Sequence, residues 1–272
     1  MAACRKYGQG PARVVLAHGG PGALGEMRPV AARLGRSFGV LEPLQTRGNV
    51  ADLVEELRGR IAADAAPPVA LVGFSWGAWL ALLLAGEHPA LVARLVLVGC
   101  GPLEARDAGE VTRTRLAALE EPERTELRGL LEGAGAPGFG GAALARLGAL
   151  LRRTDFCDPC EPGETDGDDP SADPADAVEF RPDLHRSVWA EAAALRASGR
   201  LAAACARVAC PILVLHGDRD PHPVRCVVEP LAARGCAVHP EILARCGHTP
   251  WLEREGREPF FAALERELAG CR

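Results

Sequence analysis

Lysine is nearly absent from this 272-residue chain: Lys6 stands alone beside 30 arginines. Aromatic residues are scarce at 4%, tyrosine occurs once, and serine occurs only five times. The arginine and alanine content reads as the codon usage of a GC-rich genome and carries no functional meaning. No apolar run exceeds the eight residues from Ala78 to Ala85. A bilayer span needs about 18 or more, so no membrane partner is expected. The N-terminus has a basic pair, but no apolar stretch long enough for a signal h-region follows it, and a cytoplasmic protein is expected. There is no basic excess either. The formal charge is −5, which argues against a nucleic-acid binder, since such affinity needs a basic face. Internal repeats are missing, and no Gly-rich turn is followed by Lys-Ser/Thr, so a nucleotide cofactor is not expected. The ten cysteines are scattered through a long chain without an export signal, so they are expected as reduced thiols, most of them small core residues.

What is present is ordinary globular material, 48% apolar and 25% charged, long enough for about two units with one inserted in the other. Short β-branched or Leu-rich runs at 12–17, 39–42, 69–73, 94–99, 211–216 and 237–243 read as buried parallel strands. Helical patterns lie between them. Leu53, Val54, Leu57 and Ile61 share one face of 51–64, while 77–87 is apolar nearly all round and must be buried. Phe260, Phe261, Leu264 and Leu268 form a last amphipathic stripe. Strand and helix alternating in this way imply an open parallel α/β sheet of about six strands flanked by helices.

The alternation stops between Gly101 and Arg207. Helix-like segments near 116–119, 127–131, 144–151 and 188–195 follow one another with no convincing strand. Residues 1–100 and 207–272 are therefore expected to form the core, and 101–206 a helical cap inserted between strands, over the strand ends where such sheets bind ligands. Within it, 155–179 carries ten acids and no base and reads as a solvated loop. Without those acids the remainder has 31 bases against 26 acids, so the acidity of the chain is local to one segment.

Chemistry is concentrated in four strand-end segments. Gly73-Phe74-Ser75-Trp76-Gly77 is a G-x-S-x-G placed after a strand and before a helix, where a sharp turn strains the serine and leaves no room for side chains two residues away. His18-Gly19-Gly20-Pro21-Gly22 follows the first strand. Acyl transfer needs two backbone N–H donors for the developing oxyanion, and Gly20 and Trp76 are the candidates. His216-Gly217-Asp218-Arg219-Asp220-Pro221-His222-Pro223 and Cys246-Gly247-His248-Thr249-Pro250-Trp251 complete the set. The order Ser75, Asp220, His248 is that of a nucleophile, an orienting acid and a general base. Asp218 is most simply a turn residue and stands second as the acid.

On these residues the chain resembles the α/β-hydrolase superfamily, nearest to its proline iminopeptidase-like branch. The likeness rests on His-Gly-Gly-Pro-Gly at 18–22, Gln45-Thr46-Arg47-Gly48 after the second strand, and Gly-x-Ser-Trp-Gly at 73–77. It covers about 12–100 and 207–268. The family pattern G-x-x-D implies Asp220 as the acid, Gly247-His248 implies the base, and the insertion is implied to be a cap forming the substrate pocket. Two departures stand out. Only about a dozen residues precede the first expected strand, so the antiparallel hairpin that usually opens this fold is not expected. The insertion, moreover, matches no pattern that would carry over specificity.

The expected function is cleavage of a small ester or amide through an acyl-Ser75 intermediate, without metal or cofactor, by a monomer or small homo-oligomer. The alternatives are an aminopeptidase acting on short peptides with N-terminal proline, a weakly catalytic ligand-binding protein, and acyl transfer or carbon–carbon cleavage at the same site. Trp79, His222 and Trp251 are candidate pocket residues. His18 and His216 read as loop-fixing hydrogen-bond partners. Cys157-Asp158-Pro159-Cys160 is a lone C-x-x-C with no second pair for zinc, and its acidic setting does not favour redox work.

Overall fold

The computed structural model describes residues 4–133, 139–161, 164 and 179–271. Seven strands form one sheet. β1 (Cys4–Tyr7), β2 (Ala12–Ala17), β4 (Gly39–Pro43), β5 (Val69–Phe74), β6 (Val92–Val98), β8 (Ile212–Gly217) and β9 (Val238–Leu243) lie in the order β1-β4-β2-β5-β6-β8-β9. Every pairing is parallel except β1 with β4. The sheet thus has one strand more than the six expected. β1 escapes a hydrophobic reading because two of its four residues are charged and polar contacts tie it down. Tyr7 donates to Glu42 at 3.0 Å and Lys6 pairs with Asp64, while only Cys4 and Tyr7 touch the cores.

Side chains alternate across the sheet and feed two cores. Leu71, Leu95, Leu97 and Val214 face α2 (Val50–Asp64), α3 (Trp76–Glu87) and α8 (Arg200–Cys205). Val72, Val96, Val98 and Leu215 face α1 (Arg28–Leu34) and α10 (Arg257–Leu268). Central strands covered on both faces are what the apolar runs implied. α1 is seven residues long and had no place in the sequence reading, although Val30, Ala31 and Leu34 give it a buried stripe. α3 is buried around its whole circumference, as an all-apolar helix under a sheet must be.

Between β6 and β8 stand α4 (Glu110–Ala117), α5 (Glu123–Gly133), α6 (Ala142–Asp155), α7 (Pro182–Ala197) and α8. Leu119, Leu127, Leu147 and Leu150 of the first part form a small core of their own. One short strand does interrupt the helices. β7 (Glu179–Phe180) pairs antiparallel with β3 (Ala23–Leu24), a two-residue ribbon too short to show in a sequence pattern. Most of the acidic stretch, 162–163 and 165–178, lies outside the described residues. Its first residues are not a free loop. Cys157 and Asp158 donate their backbone N–H groups to the buried Glu253 carboxylate at 2.8 Å each, and Cys160 N–H donates to the Leu252 carbonyl at 2.8 Å.

Candidate active site

β5 delivers the chain to Ser75 and α3 leaves from it at once. Ser75 takes φ 52° and ψ −114°. That left-handed backbone costs about 1–3 kcal/mol and persists only where its surroundings enforce it. Here the Ser75 N–H donates to the Val98 carbonyl on β6 at 2.9 Å, while α3 is locked in the core behind it. The flanking glycines are steric necessities. A methyl on Gly73 would fall 2.4 Å from the Gly77 carbonyl oxygen, and one on Gly77 would fall 2.1 Å from that of Ala17.

His248, on the loop after β9, lies with Nε2 3.1 Å from Ser75 Oγ and Nδ1 2.9 Å from Asp220 Oδ2. A carboxylate only accepts, so Nδ1 carries the proton and Nε2 is bare toward the serine hydroxyl. Asp220 is fully buried, and its neighbours fill it. Oδ1 accepts from the His222 backbone N–H at 2.9 Å and from His222 Nδ1 at 2.7 Å, while His216 Nε2 stands 3.5 Å from Oδ2. Burial alone would raise the Asp220 pKa, but the imidazoles of His248, His222 and His216 hold it well below the usual carboxylate range. Burial alone would likewise lower His248, and the Asp220 carboxylate more than reverses this, leaving the imidazole above its ordinary value. Asp218 does the work of a turn, accepting the Cys246 N–H at 3.2 Å.

The loop after β2 is tied to this centre by His18 and Gln45. His18 Nδ1 donates to the Gly19 carbonyl at 2.8 Å and Nε2 accepts the Gln45 N–H at 3.2 Å. Burial pushes its pKa down to about 4, so it stays neutral and fixed in one tautomer. The Gln45 side chain donates to the His18 carbonyl at 3.0 Å and accepts Trp76 Nε1–H at 2.8 Å. Gly20, at φ +33°, and Trp76, the first residue of α3, belong to the two segments so joined.

Of the pocket candidates, His222 is bound to Asp220 from beneath the base, its ring stacked on His248 at 4.4 Å. Trp79 donates to the Gly101 carbonyl at 3.1 Å and lies parallel to the partly exposed Trp189 of α7 at 5.9 Å. Trp251 is 1% exposed and packs on Phe74 and Phe260 at 4.6 and 5.9 Å, in the core below the site. His216 fixes its loop as expected, with Nε2 2.5 Å from the His222 carbonyl.

Three further residues had no sequence signal. Glu253 joins the His248 loop to 157–158, its Oε1 also accepting the Gly247 N–H at 2.9 Å. Asp155 accepts the His248 N–H at 2.6 Å through its carbonyl and holds Arg115 of α4 in a two-point ion pair at 2.8 and 2.6 Å. Glu26 lies behind Gly19. Burial lifts its carboxyl to about 7 against the pull of His248 and the Gly19 N–H, and its Oε2 has no hydrogen-bond partner. Among the described residues, one group of His, Cys, Asp and Glu converges closely enough for a metal ion: Asp220, His222 and His248, within 4.8 Å. Those ligand atoms are already spent on one another.

This arrangement can activate a serine hydroxyl through a neutral imidazole oriented by a buried carboxylate. A family model described as the alpha/beta hydrolase family matches residues 14–262. A search of curated proteins finds no match. Among solved structures, the proline iminopeptidase of Mycobacterium smegmatis superposes with a TM-score of 0.71 at 18% identity, covering 98% of this chain and 94% of that one. The 2-hydroxy-6-oxo-6-phenylhexa-2,4-dienoate hydrolase from Rhodococcus sp. strain RHA1 gives 0.63 at 23%, covering 96% and 92%. A thermophilic esterase from Thermogutta terrifontis gives 0.63 at 20%, covering 98% and 93%. These likenesses show the fold, and the family match over 14–262 establishes that the chain belongs to the alpha/beta hydrolase family.

Proposed function

We propose that the chain is a serine hydrolase that cleaves a small carboxylic ester through an acyl-Ser75 intermediate. The observation that carries the reading is the continuous hydrogen-bonded line Ser75–His248–Asp220, with spacings of 3.1 and 2.9 Å, ending at a strained elbow. In this reading Ser75 Oγ attacks the substrate carbonyl while His248 Nε2 takes its proton. Asp220 stabilises the imidazolium, and the N–H groups of Gly20 and Trp76 receive the oxyanion. The imidazolium then protonates the departing alcohol, and a water activated by the same nitrogen releases the acid. The helices between β6 and β8 act as the cap over the pocket.

An ester fits better than a peptide with a free N-terminus, which needs an available carboxylate to pair with its ammonium. An ester needs only the serine, its base and the oxyanion donors, and no partner for an ammonium. The test is a fluorophosphonate probe followed by intact mass. Wild type should gain one adduct, and Ser75→Ala none. Unlabelled wild type, also untouched by a smaller sulfonyl fluoride, would overturn the mechanism. A panel of aryl and alkyl esters against prolyl amides then decides the substrate class.

A further inference from the structure

Asp220 is shared. A carboxylate has about four lone-pair positions, and Asp220 here accepts three hydrogen bonds: from His222 N–H and Nδ1 at Oδ1 and from His248 Nδ1 at Oδ2, while His216 Nε2 stands 3.5 Å from Oδ2 and gives its proton to the His222 carbonyl. The His222 Nδ1 contact is the shortest of the three, at 2.7 Å. Its direction is fixed, because Oδ1 can only accept and His222 Nδ1 must therefore carry a proton. His222 cannot drift from this position. Its carbonyl is held by His216, whose buried Nδ1 has no hydrogen-bond partner, and its ring is stacked 4.4 Å from that of His248.

We propose, on the reading that Ser75 is the nucleophile, that His222 is a positioning residue: by donating to the second oxygen of Asp220, it limits the pull of that carboxylate on the His248 proton. A donor on Oδ1 draws charge away from Oδ2, just as hydrogen bonds to a carboxylate stabilise its charge and weaken its attraction for a neighbouring proton. A base serves best when its pKa is near the working pH. An undivided, buried Asp220 would hold His248 protonated over more of the range. His222 can play this part because it remains neutral, its own pKa lowered by burial to about 4. The other charged groups within reach of the two imidazoles are Arg115 of α4, Asp155 of α6 and Glu26 behind Gly19. Arg115 and Asp155 neutralise each other in their ion pair. Glu26 acts on His248 and is untouched by the substitutions below.

The experiment is the rate of fluorophosphonate labelling of Ser75 against pH, which needs no natural substrate. Two variants separate the ring from its donor. His222→Phe keeps an aromatic ring over His248 and loses the N–H. His222→Gln loses the ring and keeps an amide N–H able to reach Oδ1. In His222→Phe the midpoint of the rise should move up by roughly half to one pH unit, making labelling about three- to tenfold slower below the midpoint. His222→Gln should return most of that shift. Circular dichroism identifies a variant that has lost its fold, in which case His222→Leu replaces His222→Phe. An unchanged midpoint in the apolar variant, or equal shifts in the apolar and Gln variants, overturns the proposal. Wild type that does not label at all overturns instead the nucleophile assignment on which it rests.

Discussion

Asp220→Asn should lower kcat about 10⁴-fold, because an amide presents an N–H where His248 needs an acceptor and the imidazole turns its wrong tautomer to Ser75. Asp218→Asn should leave kcat within a few-fold and cost less than about 1 kcal/mol of stability, since an amide oxygen can still accept the Cys246 N–H and the other side-chain contact is a 4.0 Å ion pair with the exposed Arg219. If kcat of the two variants on an activated ester were reversed, the acid would be misassigned. The proposed mechanism requires a neutral His248, so kcat/KM should rise with pH. Asp220 raises the His248 pKa, which puts the midpoint of that rise above the ordinary imidazole value of about 6.5. A midpoint below that value in a pH–rate profile would contradict the assignment. At this scale the legible residues are those whose chemistry dictates a local motif. Ser75 announces itself through two glycines, and His248 through its place after the last strand. Glu253 does not, because the groups that it binds at 157–158 lie about 95 residues away in the chain. Trp251 misleads for the opposite reason: proximity to the base in sequence is not proximity to the substrate when the intervening turn folds inward.

The elbow is an element-level device, and Gly77 is its tightest point. Gly77→Ala would force a methyl within 2.1 Å of the Ala17 carbonyl oxygen, a contact that only backbone movement of β2 or α3 can relieve. The expected cost is about 2–3 kcal/mol, measured by chemical denaturation, with labelling of Ser75 lost even in the folded fraction. Stability like that of wild type would mean that the elbow has slack. The elements themselves were legible where burial is two-sided: β2, β4, β5, β6 and β8 all fall within two residues of their apolar runs. β9 does so too, although it is not the buried strand expected at 237–243 but an edge strand with His239, Pro240 and Ile242 exposed. β1 was hidden because an edge strand held by Tyr7, Arg5 and Lys6 has polar reasons for its place. α1 was hidden because seven residues give too few turns for a period to stand out.

At the scale of the molecule, the two faces of the sheet carry cores of their own, and α4, α5 and α6 gather around a third, much smaller one. Leu127→Ala should therefore act locally. A loss of about 2–4 kcal/mol from so small a cluster should raise hydrogen exchange through α4–α6 while leaving the sheet protected. Uniform loss of protection would show instead that insertion and sheet unfold as one. Because Asp155 and the 157–158 backbone are bonded to the His248 loop, such loosening should also slow labelling of Ser75.

Ser75 and His248 are 173 residues apart in the chain. A ribosome has released the nucleophile long before it makes the base, and Asp220 comes late as well. On the proposed mechanism, the growing polypeptide carries a serine no more reactive than any other until the loop after its last strand brings His248 to it. Bringing the two together closes a loop of that length, whose entropy cost must be met before the contact forms. On that mechanism, reactivity toward an acylating reagent should report completed molecules alone, and a chain cut short before His248 should show no labelling of Ser75.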